Sequence, residues 1–192
     1  IQAAVDRARG SAPVQDPTFY DTLADALVRV FALGAAEQMA ARSEETMTGR
    51  PHPMLIKARV FLSQGRPSKA LAELQRSDAT VSRVLQATIM LRLSRIPEAR
   101  KLVEQALKRA PQDVDAKLVE ARVLVAAGDH SKAEQRLQRL LGKRPKDARV
   151  LTALGDLALA RKELAAAQRY FERATKDSTA LEARLKLADV LL

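Results

Sequence analysis

The chain has 192 residues, of which 47% are hydrophobic but only 3% aromatic, and it carries a formal net charge of +10. An interior this poor in aromatics has to be closed by Ala, Leu and Val at short contacts, which favours helices over sheets. The absence of Cys excludes a disulfide framework, thiolate metal ligation and a thiol nucleophile, and no apolar run approaches the ~20 residues that a membrane-spanning helix needs.

In chain order, residues 1–50 form a degenerate helical region. Ile1 to Arg9 reads as the last helix of a preceding unit, ended by Gly10 and Pro13, and a start at Ile1 rather than Met is what is expected of a piece of a longer protein. Asp16 to Phe31 and Ala35 to Arg42 read as a hairpin turning at Leu33-Gly34. Ser43 to Pro53, polar and rich in turn formers, is predicted to be an extended loop.

From residue 51 the chain repeats itself. Ala99, Ala133 and Ala167 are spaced by 34, and so are Pro111 and Pro145, the turn positions Ser94, Gly128 and Lys162, and the apolar residues Val103, Leu137 and Phe171. Ala87, Ala121 and Gly155 make a fifth column, continued by Ala188 after 33 residues. Ala58, Gly65, Ala70 and Leu74 give the same set 29 residues upstream, as a five-residue loss around Ser77-Asp78 would produce.

These columns predict helical hairpins turning near Gly65, Ser94, Gly128 and Lys162. In one unit a first helix, Leu118 to Ala127, is followed by Gly128-Asp129-His130 and a second helix from Ser131, with Ser131 and Glu134 at capping-box spacing. Pro67 and Pro97 fall in the first turns of other second helices, where a missing N–H costs little. The small residues recur where two helices approach closely. Approximate unit boundaries are 51–79, 80–113, 114–147, 148–180 and a partial unit 181–192.

The pattern of small-x-x-apolar, then Gly, then Ala-x-x-x-apolar, then Pro resembles the tetratricopeptide repeat over residues 51–192. Leu154-Gly155, Ala167, Phe171 and Ala174 carry the resemblance in one unit, and Ala121, Leu124, Gly128, Ala133, Leu137 and Pro145 in the unit before. Two departures are that Lys57, Gln86 and Glu120 stand where the family has a large residue, and that there is no Trp. The resemblance implies an all-α, right-handed α-solenoid of stacked antiparallel helical hairpins whose first helices line a concave face.

Carried over column by column, that face presents His52, Leu55, Arg59, Leu62, Val84, Thr88, Leu91 and Arg92, then Asp115, Leu118, Arg122, Val125, Arg149, Thr152, Asp156 and Leu159, then Glu182, Leu185 and Asp189. It runs from basic around Arg59, Arg92 and Arg122 to acidic around Asp156, Glu182 and Asp189. Such a surface suits a protein partner, either a helix or an extended segment. Clamping of a chaperone's terminal carboxylate, which in the family uses Asn and Lys, is disfavoured because the chain has no Asn.

Charge offers an alternative. Residues 1–50 hold 5 basic and 7 acidic side chains, so the positive excess lies in the remainder. Much of it is on second helices: Arg100, Lys101, Lys108 and Arg109; Arg136, Arg139, Lys143, Arg144 and Lys146; Arg169, Arg173 and Lys176. A basic outer stripe admits a nucleic acid or acidic polysaccharide, although only Tyr170 offers a ring for stacking there.

Nothing points to catalysis or to a cofactor. The two histidines, His52 and His130, sit in different units without a metal or triad spacing, no Gly-rich phosphate loop is present, and Glu44-Glu45 has no catalytic frame. The reading is a non-catalytic interaction scaffold. Its texture resembles that of bacterial repeat proteins of envelope assembly, polysaccharide export or secretion, and it leaves periplasm and cytoplasm open.

Overall fold

The computed structural model of the chain describes residues 27, 32–46, 51–177 and 180–191. The expected helices Ile1 to Arg9 and Asp16 to Phe31 lie outside the described residues, apart from Leu27. Among the described residues there are ten helices and no strands: α1 (Leu33–Thr46), α2 (Pro51–Ser63), α3 (Pro67–Gln75), α4 (Thr80–Arg92), α5 (Ile96–Arg109), α6 (Val114–Ala126), α7 (His130–Lys143), α8 (Ala148–Ala160), α9 (Leu164–Ala174) and α10 (Leu181–Leu191). This is an α-solenoid architecture, and its chain divides into two compact units, Ile1–Ile89 and Met90–Leu192.

The four predicted turns are where the backbone becomes left-handed: Gly65 has φ 70°, Ser94 57°, Gly128 81° and Lys162 63°. Each closes its helix in the same way. The N–H of Gly128 donates to the carbonyl of Val125 at 3.0 Å and that of Asp129 to Leu124 at 2.9 Å. Gly65-Arg66, Ser94-Arg95 and Lys162-Glu163 make the corresponding pairs. Two carbonyls that a helix end leaves unpaired are thereby satisfied at every turn.

First and second helices bury different amounts of themselves for a packing reason. The second helices bury one stripe at i, i+4, i+7: Ala99, Val103 and Ala106 in α5, Ala133, Leu137 and Leu140 in α7, Ala167, Phe171 and Ala174 in α9. In contrast α8 buries residues on all sides, including Val150, Leu151, Ala153, Leu154, Leu157 and Ala158. It packs against α6, α7, α9 and α10. A helix enclosed in this way has to be apolar nearly all round.

In the first unit, Ala36, Met39 and Ala40 of α1 pack with Ile56 and Val60 of α2. A second cluster joins Ala58, Ala70 and Leu74 to Ile89. The Gln86 amide Nε2, buried in α4, donates to the carbonyl of the buried Leu74 at 3.0 Å and so helps satisfy the C-terminal end of α3. That contact accounts for a polar residue where the repeat pattern has a large apolar one.

Three local expectations are corrected. Ser43 to Thr46 continue α1, with Ser43 fully buried, and Pro51 to Pro53 open α2, so the extended loop expected over Ser43 to Pro53 is not formed at either end. The turn expected at Leu33-Gly34 is instead the first turn of α1. At α7 the residue at the cap position is Asp129, not Ser131, and it makes no side-chain cap. Glu134 is instead drawn to Arg161, whose guanidinium donates to it at 2.8 Å.

Candidate functional site

The expected partner-binding residues divide between the two units. In the first, His52 belongs to α2 but its side chain lies outside the described residues. Leu55 is half-buried against the Ala58, Ala70, Leu74 and Ile89 cluster, Arg59 is exposed, and the half-buried Thr88 turns its hydroxyl back to donate to the Val84 carbonyl at 2.9 Å. Val84 itself is buried.

In the second unit Leu91 is half-buried and Arg92 exposed at the end of α4. Two expected surface residues are in the core and offer a partner almost nothing: Leu118, 6% exposed, and Thr152, 4% exposed, whose hydroxyl donates to the Ala148 carbonyl. The column rule assigned them outward because it treats α6 and α8 as having a free face four residues wide. Enclosure on several sides leaves a narrower one.

The remaining residues converge. Asp115 and Arg149, one repeat apart in the same column, meet at 2.5 Å, so α6 and α8 stack in register. Arg122 of α6 comes within 3.9 Å of Glu182 on α10, and Asp156 of α8 accepts from Lys186. Two of the three acids anticipated at that end, Glu182 and Asp156, are therefore already partnered by basic residues of the same face. Lys186 was missed among the candidates; a Lys 30 residues after Asp156 was its only signal.

Between these ion pairs lies a cavity of ≈ 150 Å³, lined by Ala121, Arg122, Val125, Ala126, Leu137, Ala153 and Asp156. Its walls are apolar because the side chains of α6 and α8 are short there, and the buried Leu137 of α7 closes its bottom. Arg122 and Asp156 place opposite charges at its rim. The dimensions suit one aliphatic side chain of a peptide.

The N-terminus of α8 is also organised electrostatically. The Asp147 carboxylate accepts from the Arg149 backbone N–H at 3.0 Å, and the Arg149 guanidinium reaches it at 3.0 Å as well. The hydrogen bond from the Arg149 side chain, opposed by partial burial, holds the Asp147 carboxyl below the usual range. The same bond holds the Arg149 guanidinium above its usual range. Asp113 repeats the cap one unit earlier, accepting from the Ala116 N–H at 2.7 Å. Pro111-Gln112-Asp113 and Pro145-Lys146-Asp147 carried this signal in the sequence.

Among the described residues no group of three His, Asp or Glu is placed to hold a metal ion, and no helix is long and apolar enough to cross a membrane.

Residues 90–157 match the family described as tetratricopeptide repeat. Compared by sequence, the chain matches none of the curated proteins. Solved structures are similar in fold: a thermophilic TPR protein in Thermus thermophilus, at TM-score 0.78 and 19% identity over 92% of this chain and 99% of that one; PilW, a widely conserved type IV pilus biogenesis factor, at 0.66 and 17% over 91% and 86%; and YrrB, a TPR protein with an unusual peptide-binding site, at 0.52 and 14% over 95% and 96%.

Proposed function

We propose that this chain, which carries tetratricopeptide repeats and has the fold of tetratricopeptide-repeat proteins, is a non-catalytic scaffold that seats a peptide or helix of a partner protein on the face formed by α6, α8 and α10. The observation that carries this reading is the apolar cavity over Leu137 with Arg122 and Asp156 at its rim. An aliphatic anchor gains by leaving water there, at about 25 cal/mol per Å² of apolar surface buried. The flanking charges fix its orientation. Asp115, Arg149, Arg92 and Leu91 are proposed as further contacts of the second unit, and Leu55, Arg59, Thr88 and His52 as contacts of the first.

Likeness to a type IV pilus biogenesis factor supports a finer reading, in which the scaffold works in a bacterial secretion or envelope-assembly complex. Polysaccharide export is a third setting compatible with the same groove.

The test is selection of binders from a displayed peptide library on the intact chain, followed by anisotropy on the selected peptides. Val125→Trp, which fills the cavity from a half-buried position, and Arg122→Glu, which reverses its rim, are expected each to weaken binding about tenfold or more. Selected peptides that bind both variants as well as the parent chain would remove the reading.

A further inference from the structure

We propose that a second site, for an acidic peptide segment, lies on another face of the α6–α7 hairpin, in a depression of ≈ 330 Å³ walled by Lys117, Glu120, Arg136, Arg139, Leu140 and Lys143. Lys117 and Glu120 lie on a different side of α6 from Arg122 and Val125, because each residue turns the helix by roughly 100°. The depression is thus distinct from the cavity over Leu137.

Its charge is unbalanced. Glu120 is matched by Arg136 at 3.6 Å, and Lys117 spends a donor on the neutral Gln112 oxygen at 2.9 Å. Arg139 and Lys143 have no carboxylate partner among the described residues, and both are exposed. Three positive charges therefore stand over one concavity without compensation. Elsewhere on the second unit several exposed arginines are paired: Arg95 with Glu98, Arg100 with Asp129, and Arg149 with Asp115 and Asp147.

Peptide is favoured over nucleic acid by what else lines the hollow. No aromatic ring is available for base stacking, and Glu120 opposes a continuous run of phosphates. Over the buried Leu140, the aliphatic stems of Lys117, Arg139 and Lys143 offer apolar surface that a side chain between two carboxylates can cover. Arg136, Arg139 and Lys143 follow one another at i, i+3 and i+7 along α7. They span about 10 Å at 1.5 Å per residue, a reach that matches carboxylates a few residues apart. Arg139 supplies the forked donor for a carboxylate.

The probe is a fluorescein-labelled synthetic peptide of repeated Glu-Glu-Leu, titrated by anisotropy with the full chain, beside its Lys-Lys-Leu counterpart and single-stranded oligodeoxythymidine. The acidic peptide is expected to bind, to weaken with added salt, and to lose about tenfold or more in affinity in the Arg139→Glu plus Lys143→Glu variant. The milder Arg139→Gln plus Lys143→Gln variant loses less. Arg122→Glu keeps the affinity, whatever it does to peptides selected on the other face. Unchanged affinity in both double variants overturns the site, as does tighter binding of oligodeoxythymidine through the same two residues. Loss on Arg122→Glu alone also overturns it, by moving the acidic peptide to the cavity over Leu137.

Discussion

Four positions share one left-handed backbone conformation, but only two of them, Gly65 and Gly128, are glycine; Ser94 and Lys162 bear a Cβ that this region penalises. Lys162→Gly and Ser94→Gly are therefore expected to stabilise the fold by about 0.5–1 kcal/mol each, since a left-handed penalty of ~1–2 kcal/mol is partly offset by a looser unfolded chain. Gly128→Ala should be destabilising for the same reason. Thermal melts of the three variants check the order, and a lower melting temperature for Lys162→Gly would contradict it.

Gly155 is required on a different ground. A Cβ there would meet the Phe171 ring at 2.3 Å, and Phe171 is 0% exposed and has nowhere to move. One repeat earlier the pair is Ala121 and Leu137, in which a larger small residue meets a smaller large one. Gly155→Ala is expected to cost about 1–3 kcal/mol, and adding Phe171→Leu should recover part of that loss. A double variant that simply sums the two single costs would show that the residues do not share this space.

At the scale of the element, the helix starts differ more than the sequence columns suggest. Asp147 caps α8 and also holds Arg149, so its two roles separate by substitution. Asp147→Asn keeps a capping oxygen and loses the ion pair, costing roughly 0.5 kcal/mol, whereas Asp147→Ala loses both, at about 1–2 kcal/mol. The folded protein binds the Asp147 proton less tightly than the unfolded chain does. Its stabilisation is therefore complete above the unfolded value of about 3.9 and disappears as pH falls through the lower folded value. Melting curves against pH should show the parent and Asp147→Asn converging in acid; a gap that persists unchanged below that window contradicts the assignment.

The same elements show what the sequence could convey. The turns and the Ala-x-x-x-apolar stripes were legible because a fixed spacing repeats them, and Ala99, Ala133 and Ala167 are all 0% exposed. Caps were less legible. Ser131 and Glu134 have the right spacing, but the turn at Gly128 puts the cap position two residues earlier, at Asp129, and Arg161, 27 positions away, claims Glu134. Ser43 to Thr46 look like loop by composition, yet α1 carries them as helix with Ser43 buried, a tertiary effect that overrides local propensity. Of the candidate face, the columns put Arg122 and Asp156 on one side of the array, and both line the cavity over Leu137. That these charges are answered by Glu182 and Lys186 depends on how neighbouring hairpins stack, which the separate columns do not contain.

The stacking register itself is open to test at this scale. Ala133 is 0% exposed among Leu137, Ala153 and Leu154, whereas Lys132 is exposed, with a 3.5 Å contact to Asp129. Ala133→Trp is expected to cost about 1–3 kcal/mol or more by overpacking, and Lys132→Ala less than about 0.5 kcal/mol. Equal melting temperatures for the two would overturn the register.

For the whole molecule, the relevant fact is that each hairpin of a repeat array touches chiefly its neighbours, so stability is assembled from local terms. In the second unit α8 contacts α6, α7, α9 and α10, and the Phe171 cluster joins Ala158 and Ala167 to Leu187 and Val190 of α10. The first unit has its own clusters, around Met39 and Ile56 and around Leu74 and Ile89. Damage confined to the Gly155–Phe171 contact should accordingly loosen the end of the array before it reaches the beginning. In native-state hydrogen exchange, Gly155→Ala is expected to lower protection of amides in α8, α9 and α10 by the full cost of the substitution. Amides of α2 and α3 should keep nearly the protection of the parent chain. An equal loss of protection in α2, α3, α8 and α9 would instead mean that the two units unfold as a single cooperative body.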